Sequence, residues 1–202
     1  MKRKRLIRIL IGTLILIIIV WAVILYQIFE IKSKEGYYGT WYERSAPDFN
    51  LTSQDGRQVS LSDFKGEAVL LFFGYTHCPD ICPLTMSTMD KVIDNLGESA
   101  DRVQVLFITV DPERDSPGRL MSYIPYYNES FIGLTGSPEQ IKSVADEYNV
   151  FYAVEESESE SGYLMGHNSS VLLISPAGEI VLRYTQNKMD PELIAKDIER
   201  IL

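Results

Sequence analysis

An uninterrupted apolar run at residues 68–73 leads directly into a cysteine motif, and this junction constrains the fold more than any other feature. A run without polar alternation is typical of a strand that is buried on both faces. It is followed by Phe73-Gly-Tyr-Thr-His-Cys-Pro-Asp-Ile-Cys-Pro83, which contains both cysteines of the chain. Ligand sites in open α/β sheets lie beyond the carboxyl ends of the strands, so we expect a site at Cys78 and Cys82.

Two thiols with three residues between them form either a disulfide or two ligands for a soft metal. Thiolate sulfur and imidazole nitrogen suit copper or zinc, and thiolates favour Cu(I) in particular. Pro83 fits the first turn of a helix, whose partial positive charge stabilises a thiolate, the reactive form in disulfide exchange. A purely structural disulfide is less favoured, because closing so short a loop constrains the unfolded chain very little.

The two histidines of the chain have different expected roles. His167 lies just before an apolar strand and, considered together with the cysteine pair, is a candidate third ligand. His77 adjoins Cys78, so its ring does not easily reach the same metal, and we expect it to support the thiols. Met165 is a candidate axial thioether ligand.

From residue 46 onward the pattern alternates between strands and helices. Strands are predicted at 49–51, 59–61, 68–73, 103–110, 171–175 and 179–184, and helices at 86–96, from 116, at 138–148 and at 192–201. Asp55-Gly56 predicts a hairpin turn, and Ser137-Pro138-Glu139-Gln140 predicts a capped helix start. The sequence therefore predicts an α/β domain with a mixed sheet, whose inner strands are parallel and whose last pair is antiparallel.

The amino-terminal residues are basic, and the segment that follows, 9–29, carries no charge. As a helix this segment would be roughly 31 Å long, about the thickness of the hydrocarbon core of a bilayer. A cleaved signal peptide is the alternative, but no small-residue cleavage site closes the run. We therefore expect a basic cytoplasmic tail at 1–8, an uncleaved transmembrane anchor at 9–29, a tether at 30–45 and an extracytoplasmic domain at 46–202.

Beyond this tail the chain is strongly acidic. It has 19 Lys and Arg against 28 Asp and Glu, and without the five basic residues that precede residue 9 only 14 basic residues remain. This balance argues against nucleic acid as a partner, because few cations are left to neutralise phosphates. The acidic run at 155–160 is interpreted as an exposed loop or hairpin tip that leads back to His167, either merely solvated or serving as a docking surface.

Three separate parts of the sequence together resemble the SCO/SenC family. They are the cysteine motif, the segment Asp111-Pro-Glu-Arg-Asp-Ser-Pro117 and the late Gly166-His167 pair. The resemblance extends over residues 46–202 and includes the opening Ala46-Pro-Asp-Phe49, although the acidic run is not part of the family pattern. It implies a thioredoxin-like fold with a mixed central sheet, preceded by one N-terminal transmembrane helix.

The resemblance also implies a function and a site. Members of this family are membrane-anchored copper chaperones that serve assembly of the dinuclear copper centre in subunit II of cytochrome c oxidase. The implied copper ligands are Cys78, Cys82 and His167, and Asp111 and Arg114 belong to a loop beside the site. We expect one copper ion per domain, as Cu(I), Cu(II) or both.

The protein is then a single-pass protein of a bacterial cell membrane, and its expected partner is oxidase subunit II. Another copper chaperone or a thiol reductase is a further candidate partner.

Two other functions stay open at this stage, and with them the question of whether the chain is an enzyme. The cysteine pair could belong to a thiol–disulfide oxidoreductase that reduces the copper-binding cysteines of the oxidase, or to a redox or copper sensor. A dithiol enzyme needs no distant histidine. Thioredoxin-like oxidoreductases also usually have two residues between the cysteines and a proline before the facing strand. Here the spacing is three and His167-Asn-Ser-Ser170 has no proline, so both departures favour copper.

Overall fold

The computed structural model of the protein describes residues 2–33, 35–155 and 163–202, with side chains outside 2–11 and 28–33. The chain divides into two compact units, Met1–Tyr37 and Tyr38–Leu202. The first contains helix α1 (Lys2–Ser33), and the predicted anchor segment 9–29 lies within it. Among the described residues, no helix combines the length and the apolar character needed to cross a membrane. The anchor therefore stays a prediction, and the side chains of the predicted basic tail lie outside the described residues.

The second unit is built around a mixed sheet. The strands of the described residues are β1 (Thr40–Ser45), β2 (Asn50–Ser53), β3 (Gln58–Ser60), β4 (Ala68–Gly74), β5 (Val103–Thr109), β6 (Ile132–Thr135), β7 (Tyr152–Glu155), β8 (Leu164–His167), β9 (Ser170–Ile174) and β10 (Glu179–Thr185). Eight of them form one sheet in the order β1-β10-β9-β4-β5-β6-β2-β3, and β7 pairs separately with β8. β4, β5 and β6 are parallel, and the other pairings are antiparallel. The predicted mixed sheet is confirmed.

The helices of the second unit are α2 (Ile81–Leu96), α3 (Pro117–Tyr123), α4 (Pro138–Glu147) and α5 (Pro191–Ile201) in the part of the chain that the structure describes. α3, α4 and α5 each begin with a proline behind a capping side chain. Proline is well suited to this position, because its missing N–H would have no partner in the helix. Ser137 and Gln140 form the predicted capping box at the start of α4.

The core lies on both faces of β4, whose residues are all buried. Phe72 packs against its register partner Phe107 on one face, with 6.0 Å between ring centroids, and Tyr123 of α3 lies 6.0 Å from Phe107. Phe73 points to the opposite face and packs 5.7 Å from Tyr148 at the end of α4. Because successive residues of a strand alternate between faces, helices on both sides shield this strand. This layering agrees with the thioredoxin-like fold.

The structure differs from the expected domain boundary at β1. Thr40–Ser45 lies within the segment assigned to a tether, 30–45, but pairs with β10 at the edge of the sheet. Just before it, the N–H groups of Tyr38 and Gly39 donate to the buried carboxylate of Asp197 at 3.0 and 2.8 Å. The folded unit therefore begins near Tyr38, because backbone pairing extends upstream of the motifs that mark the domain in the sequence.

The hairpin of β7 and β8 was not predicted as a pair of strands. β7 ends at Glu155 and β8 begins at Leu164. Residues 156–162 between them, which include most of the acidic run, lie outside the described residues. The interpretation of this run as an exposed loop or hairpin tip therefore stays a prediction.

Candidate functional site

Gly74, the second residue of the cysteine motif, is the last residue of the central strand β4. A Cβ added at Gly74 would lie 2.8 Å from the rings of Phe72 and Phe107 and 3.1 Å from Sγ of Cys82, so only glycine leaves room for this sulfur. Cys78 lies in the loop, Cys82 lies in the first turn of α2, and both are free thiols. The N–H of Cys82 points at Sγ of Cys78 at 3.5 Å, and their side chains are hydrogen-bonded to each other.

The two cysteines differ strongly in acidity. A hydrogen bond with the Cys82 thiol, aided by the backbone N–H groups of Asp80, Cys82 and Ile81, lowers the pKa of Cys78 to about 5 although burial opposes this. The same hydrogen bond and burial raise the pKa of Cys82. These N–H groups belong to the start of α2, where the partial positive charge of a helix favours an anion. At neutral pH the pair is therefore a half-buried thiolate at Cys78 and a buried thiol at Cys82.

His167 is the last residue of β8, and its Nε2 lies 3.8 Å from Sγ of Cys82. Its ring packs 6.5 Å from the ring of Phe72 and edge-on to Tyr75 at 6.0 Å. Burial lowers the pKa of His167, and the negative charge of Cys78 opposes this effect. His167 Nδ1 is buried without a hydrogen-bond partner among the described residues. A neutral imidazole has one nitrogen lone pair, and Nε2 is the ring nitrogen that lies 3.8 Å from Cys82 Sγ.

The three candidate donors suit a soft metal, although they are not yet arranged around a single point. Two sulfurs and one imidazole nitrogen are the donors that copper accepts, and one sulfur is already ionised. Within the described residues, no group of three or more His, Cys, Asp and Glu side chains is arranged to hold a metal ion. A bound ion would therefore have to draw Cys78, Cys82 and His167 closer together. Met165 is buried and, two residues before His167, lies on the same face of β8.

A buried carboxylate, Asp115, organises the start of the cysteine loop. Thr76 donates to it from its N–H at 2.9 Å and from its hydroxyl at 2.6 Å, and the Thr109 hydroxyl donates at 2.6 Å. The Arg119 Nε donates to the Thr76 hydroxyl at 2.9 Å. Nδ1 of His77 lies 3.2 Å from the Thr76 hydroxyl and 3.6 Å from the Asp115 carboxylate. His77 thus supports the loop, and the contacts of its ring are with this network.

A second polar cluster connects the loop after β5 to the start of β8. Arg114 donates through Nε to Asp111 and through Nη1 to the carbonyl oxygen of Tyr163 at 2.9 Å. Its guanidinium lies 3.6 Å from the centre of the Tyr163 ring, and the Tyr163 hydroxyl donates to Asp111 at 2.9 Å. We call these three residues the Tyr163 clasp. Asp111 and Arg114 therefore lie in a loop beside the site, as the family resemblance implied.

Four residues of this site were not identified from the sequence: Tyr75, Thr76, Asp115 and Tyr163. Thr76 and Tyr75 belong to the cysteine motif, and Asp115 belongs to the Asp111–Pro117 segment. Both segments were recognised from the sequence, but these three residues were given no separate roles. Tyr163 carries no local signal, because its partners are about 50 residues away and only the fold brings them together.

Comparison with known proteins places these features in a family. The family model for SCO1/SenC matches residues 41–202. An SCO2-like protein from Rickettsia felis is 35% identical over 148 residues, which cover 73% of this chain and 72% of the relative.

Two solved structures extend the likeness to three dimensions. Arabidopsis thaliana ScoI with copper bound has a TM-score of 0.72 and 37% identity, over 77% of this chain and 97% of that one. BsSco, described as a member of the Sco family of cytochrome c oxidase assembly proteins in which a disulfide switch was identified, has a TM-score of 0.62 and 26% identity, over 80% of this chain and 95% of that one. With a family match over most of its length and this shared fold, the chain belongs to the SCO1/SenC family.

Proposed function

We propose that this chain binds one copper ion through Cys78, Cys82 and His167 and delivers it during assembly of cytochrome c oxidase. The observation that carries the proposal is the 3.8 Å approach of His167 Nε2 to Cys82 Sγ. Disulfide exchange needs only the two sulfurs, whereas a buried neutral imidazole beside them supplies a third donor. The copper bound to Arabidopsis ScoI and the oxidase-assembly description of BsSco support the same interpretation.

Each of the three residues contributes a distinct property to copper binding. Cys78 is already ionised at neutral pH, so it offers a thiolate without first losing a proton. Cys82 releases its proton when the metal binds, which makes affinity increase with pH. His167 supplies a borderline nitrogen donor that favours Cu(II), while the two sulfurs favour Cu(I). The apolar wall of Phe72 and Tyr75 limits access of water to the cargo ion.

The test is an anaerobic titration of the reduced protein with Cu(I) and Cu(II). We expect one ion per chain in each case. His167→Ala should keep Cu(I) binding and lose most of its affinity for Cu(II), while Cys78→Ser or Cys82→Ser should weaken both. His77→Ala is the matched control, because this ring contacts Thr76 and Asp115, and it should retain both affinities within a few-fold. Unchanged Cu(II) binding by His167→Ala would contradict the ligand set.

The proposed acceptor is the dinuclear copper site in subunit II of the oxidase. Cells that carry Cys78→Ser, Cys82→Ser or His167→Ala should assemble less active oxidase, and added copper should partly relieve the deficit. Direct transfer can be measured by mixing copper-loaded protein with the separate copper-binding domain of subunit II and recording its spectrum. Normal oxidase in the His167→Ala strain would contradict a delivery role.

A second candidate function is reduction of the copper-binding cysteines in the oxidase. The observation that favours it is the asymmetry of the pair, in which a thiolate at Cys78 lies beside a protonated thiol at Cys82. This is the arrangement needed for a first nucleophilic attack and a second, resolving step. Reduction should be unaffected by His167→Ala, whereas copper delivery should be impaired. The behaviour of this one variant therefore separates the two functions.

We also propose that segment 9–29 anchors the domain to a bacterial cell membrane. The segment is uncharged, lies within α1 and follows a basic cluster, which favours a cytoplasmic amino terminus. Protease added to intact spheroplasts should then remove the folded domain, and the mass of the isolated protein should include residues 1–29. Full protection of the domain would contradict the orientation, and loss of the segment would contradict an uncleaved anchor.

A further inference from the structure

The position of His167 depends on a hairpin that lies outside the main sheet. β7 and β8 pair only with each other among the described strands, and Ala153, Val154 and Glu155 of β7 are exposed. His167 therefore gains no support from ladder hydrogen bonds to the strands that carry the cysteine motif. Among the described residues, the contacts that hold the hairpin against the domain include those of Asn168 and Tyr163.

The end of the hairpin nearest His167 is held by its neighbour Asn168. The Asn168 side chain accepts from the N–H of Phe151 at 2.8 Å and donates to the carbonyl oxygen of Asn149 at 3.0 Å. These contacts fix the point at which the hairpin leaves and re-enters the domain. Further along β8, Met165 is buried and its backbone contacts the Tyr75 hydroxyl.

The far end of β8 is held by the Tyr163 clasp. Tyr163 immediately precedes β8, and its hydroxyl, its carbonyl and its ring each contact a residue of the clasp. Its hydroxyl donates to Asp111, its carbonyl accepts from Arg114, and its ring stacks on the Arg114 guanidinium. A guanidinium over a tyrosine ring adds cation–π attraction to these hydrogen bonds.

The clasp is itself tied to the cysteine loop. Asp111 lies two residues after β5. Its N–H donates to the Thr109 hydroxyl at 2.9 Å, and its carbonyl oxygen accepts from the N–H of Asp115 at 2.9 Å. The Asp115 carboxylate in turn holds Thr76, two residues before Cys78. A continuous path of hydrogen bonds therefore leads from the cysteine loop, through the turn after β5, to the hairpin that carries His167.

We propose that the Tyr163 clasp is a positioning device that sets the reach of His167 toward the cysteines and so determines how tightly the site holds Cu(II). This inference rests on the proposed copper-binding function. Cu(I) is satisfied by two thiolates, but Cu(II) depends on the imidazole. A hairpin held at both ends keeps Nε2 of His167 within reach of the ion. A hairpin released at Tyr163 can turn about its Asn168 end, which changes the direction in which the neighbouring His167 ring points. Loss of a group that orients a metal ligand typically lowers metal affinity about 10- to 100-fold.

The first test uses the full chain without copper. Amide hydrogen exchange should become faster at residues 164–167 in Tyr163→Phe, which removes only the hydroxyl contact, and faster still in Tyr163→Ala. Exchange in β4 and β5 should not change, because the main sheet does not depend on the clasp. Tyr152→Phe is the matched control: it removes a hydroxyl from the same hairpin, opposite His167, and leaves the clasp intact. Unchanged exchange at 164–167 in Tyr163→Ala would overturn the proposal.

The second test measures copper affinity in the same variants. Tyr163→Ala should weaken Cu(II) binding roughly tenfold and Cu(I) binding much less. In the His167→Ala background, Tyr163→Ala should cause no further loss of Cu(II) affinity, since the clasp acts through that ring. Equal losses for both oxidation states, or additive losses in the double variant, would overturn the proposal. If His167→Ala alone left Cu(II) affinity unchanged, the ligand set would fail, and hydrogen exchange would still decide whether the clasp holds the hairpin.

Discussion

His167 Nε2 lies 3.8 Å from Cys82 Sγ although 85 positions separate the two residues along the chain. The sheet explains this approach. β9, which begins three residues after His167, runs antiparallel to β4, and Phe72 pairs with Val171. The carboxyl end of β4 and the amino end of β9 therefore meet at one edge, and the loop after one strand faces the hairpin before the other. The register of β4 and β9 thus brings the hairpin that carries His167 to the cysteine loop.

The first prediction concerns the reactivity of Cys78. Its pKa is lowered to about 5, so it should be alkylated as a thiolate at neutral pH and its rate should fall only as the pH decreases through about 5. Cys82→Ala removes the largest cause of this shift and should raise the pKa of Cys78. The measurement is the pH dependence of iodoacetamide labelling, with the modified residue identified by mass spectrometry. A midpoint near the ordinary thiol value of 9.0 in the parent protein would contradict the prediction.

The second prediction concerns oxidation of the pair. A mild oxidant should convert Cys78 and Cys82 to an intramolecular disulfide, because a thiolate lies beside its partner thiol. Mass spectrometry should show the loss of two hydrogens, reversed by a reductant, and Cys78→Ser should show no such change. The oxidised protein should no longer bind copper tightly, since metal binding requires thiolates. Undiminished binding by the oxidised form would exclude the cysteines as ligands.

The sequence predicted much of this fold because several signals were local. The apolar run at 68–73 indicated β4, and Ser137 with Gln140 indicated the start of α4. The strands that escaped prediction are short or lack such a pattern: β1 contains charged residues, β6 and β8 each contain a glycine, and β7 is mostly exposed. These strands form because neighbouring strands offer unpaired backbone groups, which no local pattern records.

The candidate ligands of the site were predictable from the sequence, but the polar contacts around them were not. The cysteines form a local motif, and the family resemblance implied His167. The surrounding polar contacts were not predictable individually, since Asp115 meets Thr76 across 39 positions and Tyr163 meets Asp111 across 52. Only the arrangement of β4, β5 and β8 determines which polar side chains become partners.

The third prediction tests the close packing at Gly74. Gly74→Ala would place Cβ 2.8 Å from the rings of Phe72 and Phe107 and 3.1 Å from Cys82 Sγ, so these groups must move. Overpacking of a well-packed core typically lowers the free energy of unfolding by about 1–3 kcal/mol. Gly118→Ala is the control, because its added Cβ would meet only the Ser116 hydroxyl at 4.0 Å. Urea denaturation should show a loss for the first variant and none for the second. Equal stability of the two would mean that the core at Gly74 relaxes freely.

The last prediction concerns Asp115, which is fully buried and accepts three hydrogen bonds from Thr76 and Thr109. Asp115→Asn leaves one acceptor oxygen and places an NH₂ group against a donor of Thr76 or Thr109 that now bonds to the carboxylate. Leaving a buried donor unsatisfied costs about 1–3 kcal/mol, so the free energy of unfolding should fall by that amount. The matched control is Asp146→Asn, since Asp146 is exposed and its pair with Lys142 contributes little.

The same substitution should also loosen the cysteine loop. Thr76 is held by Asp115 through both its N–H and its hydroxyl, and Cys78 follows two residues later. Amide hydrogen exchange at residues 76–78 should therefore become faster in Asp115→Asn. Exchange in α4, which is not hydrogen-bonded to Thr76 or Asp115 in the part of the chain that the structure describes, should stay unchanged. If Asp115→Asn matched Asp146→Asn in both stability and exchange, the buried carboxylate would have no part in holding the cysteine loop.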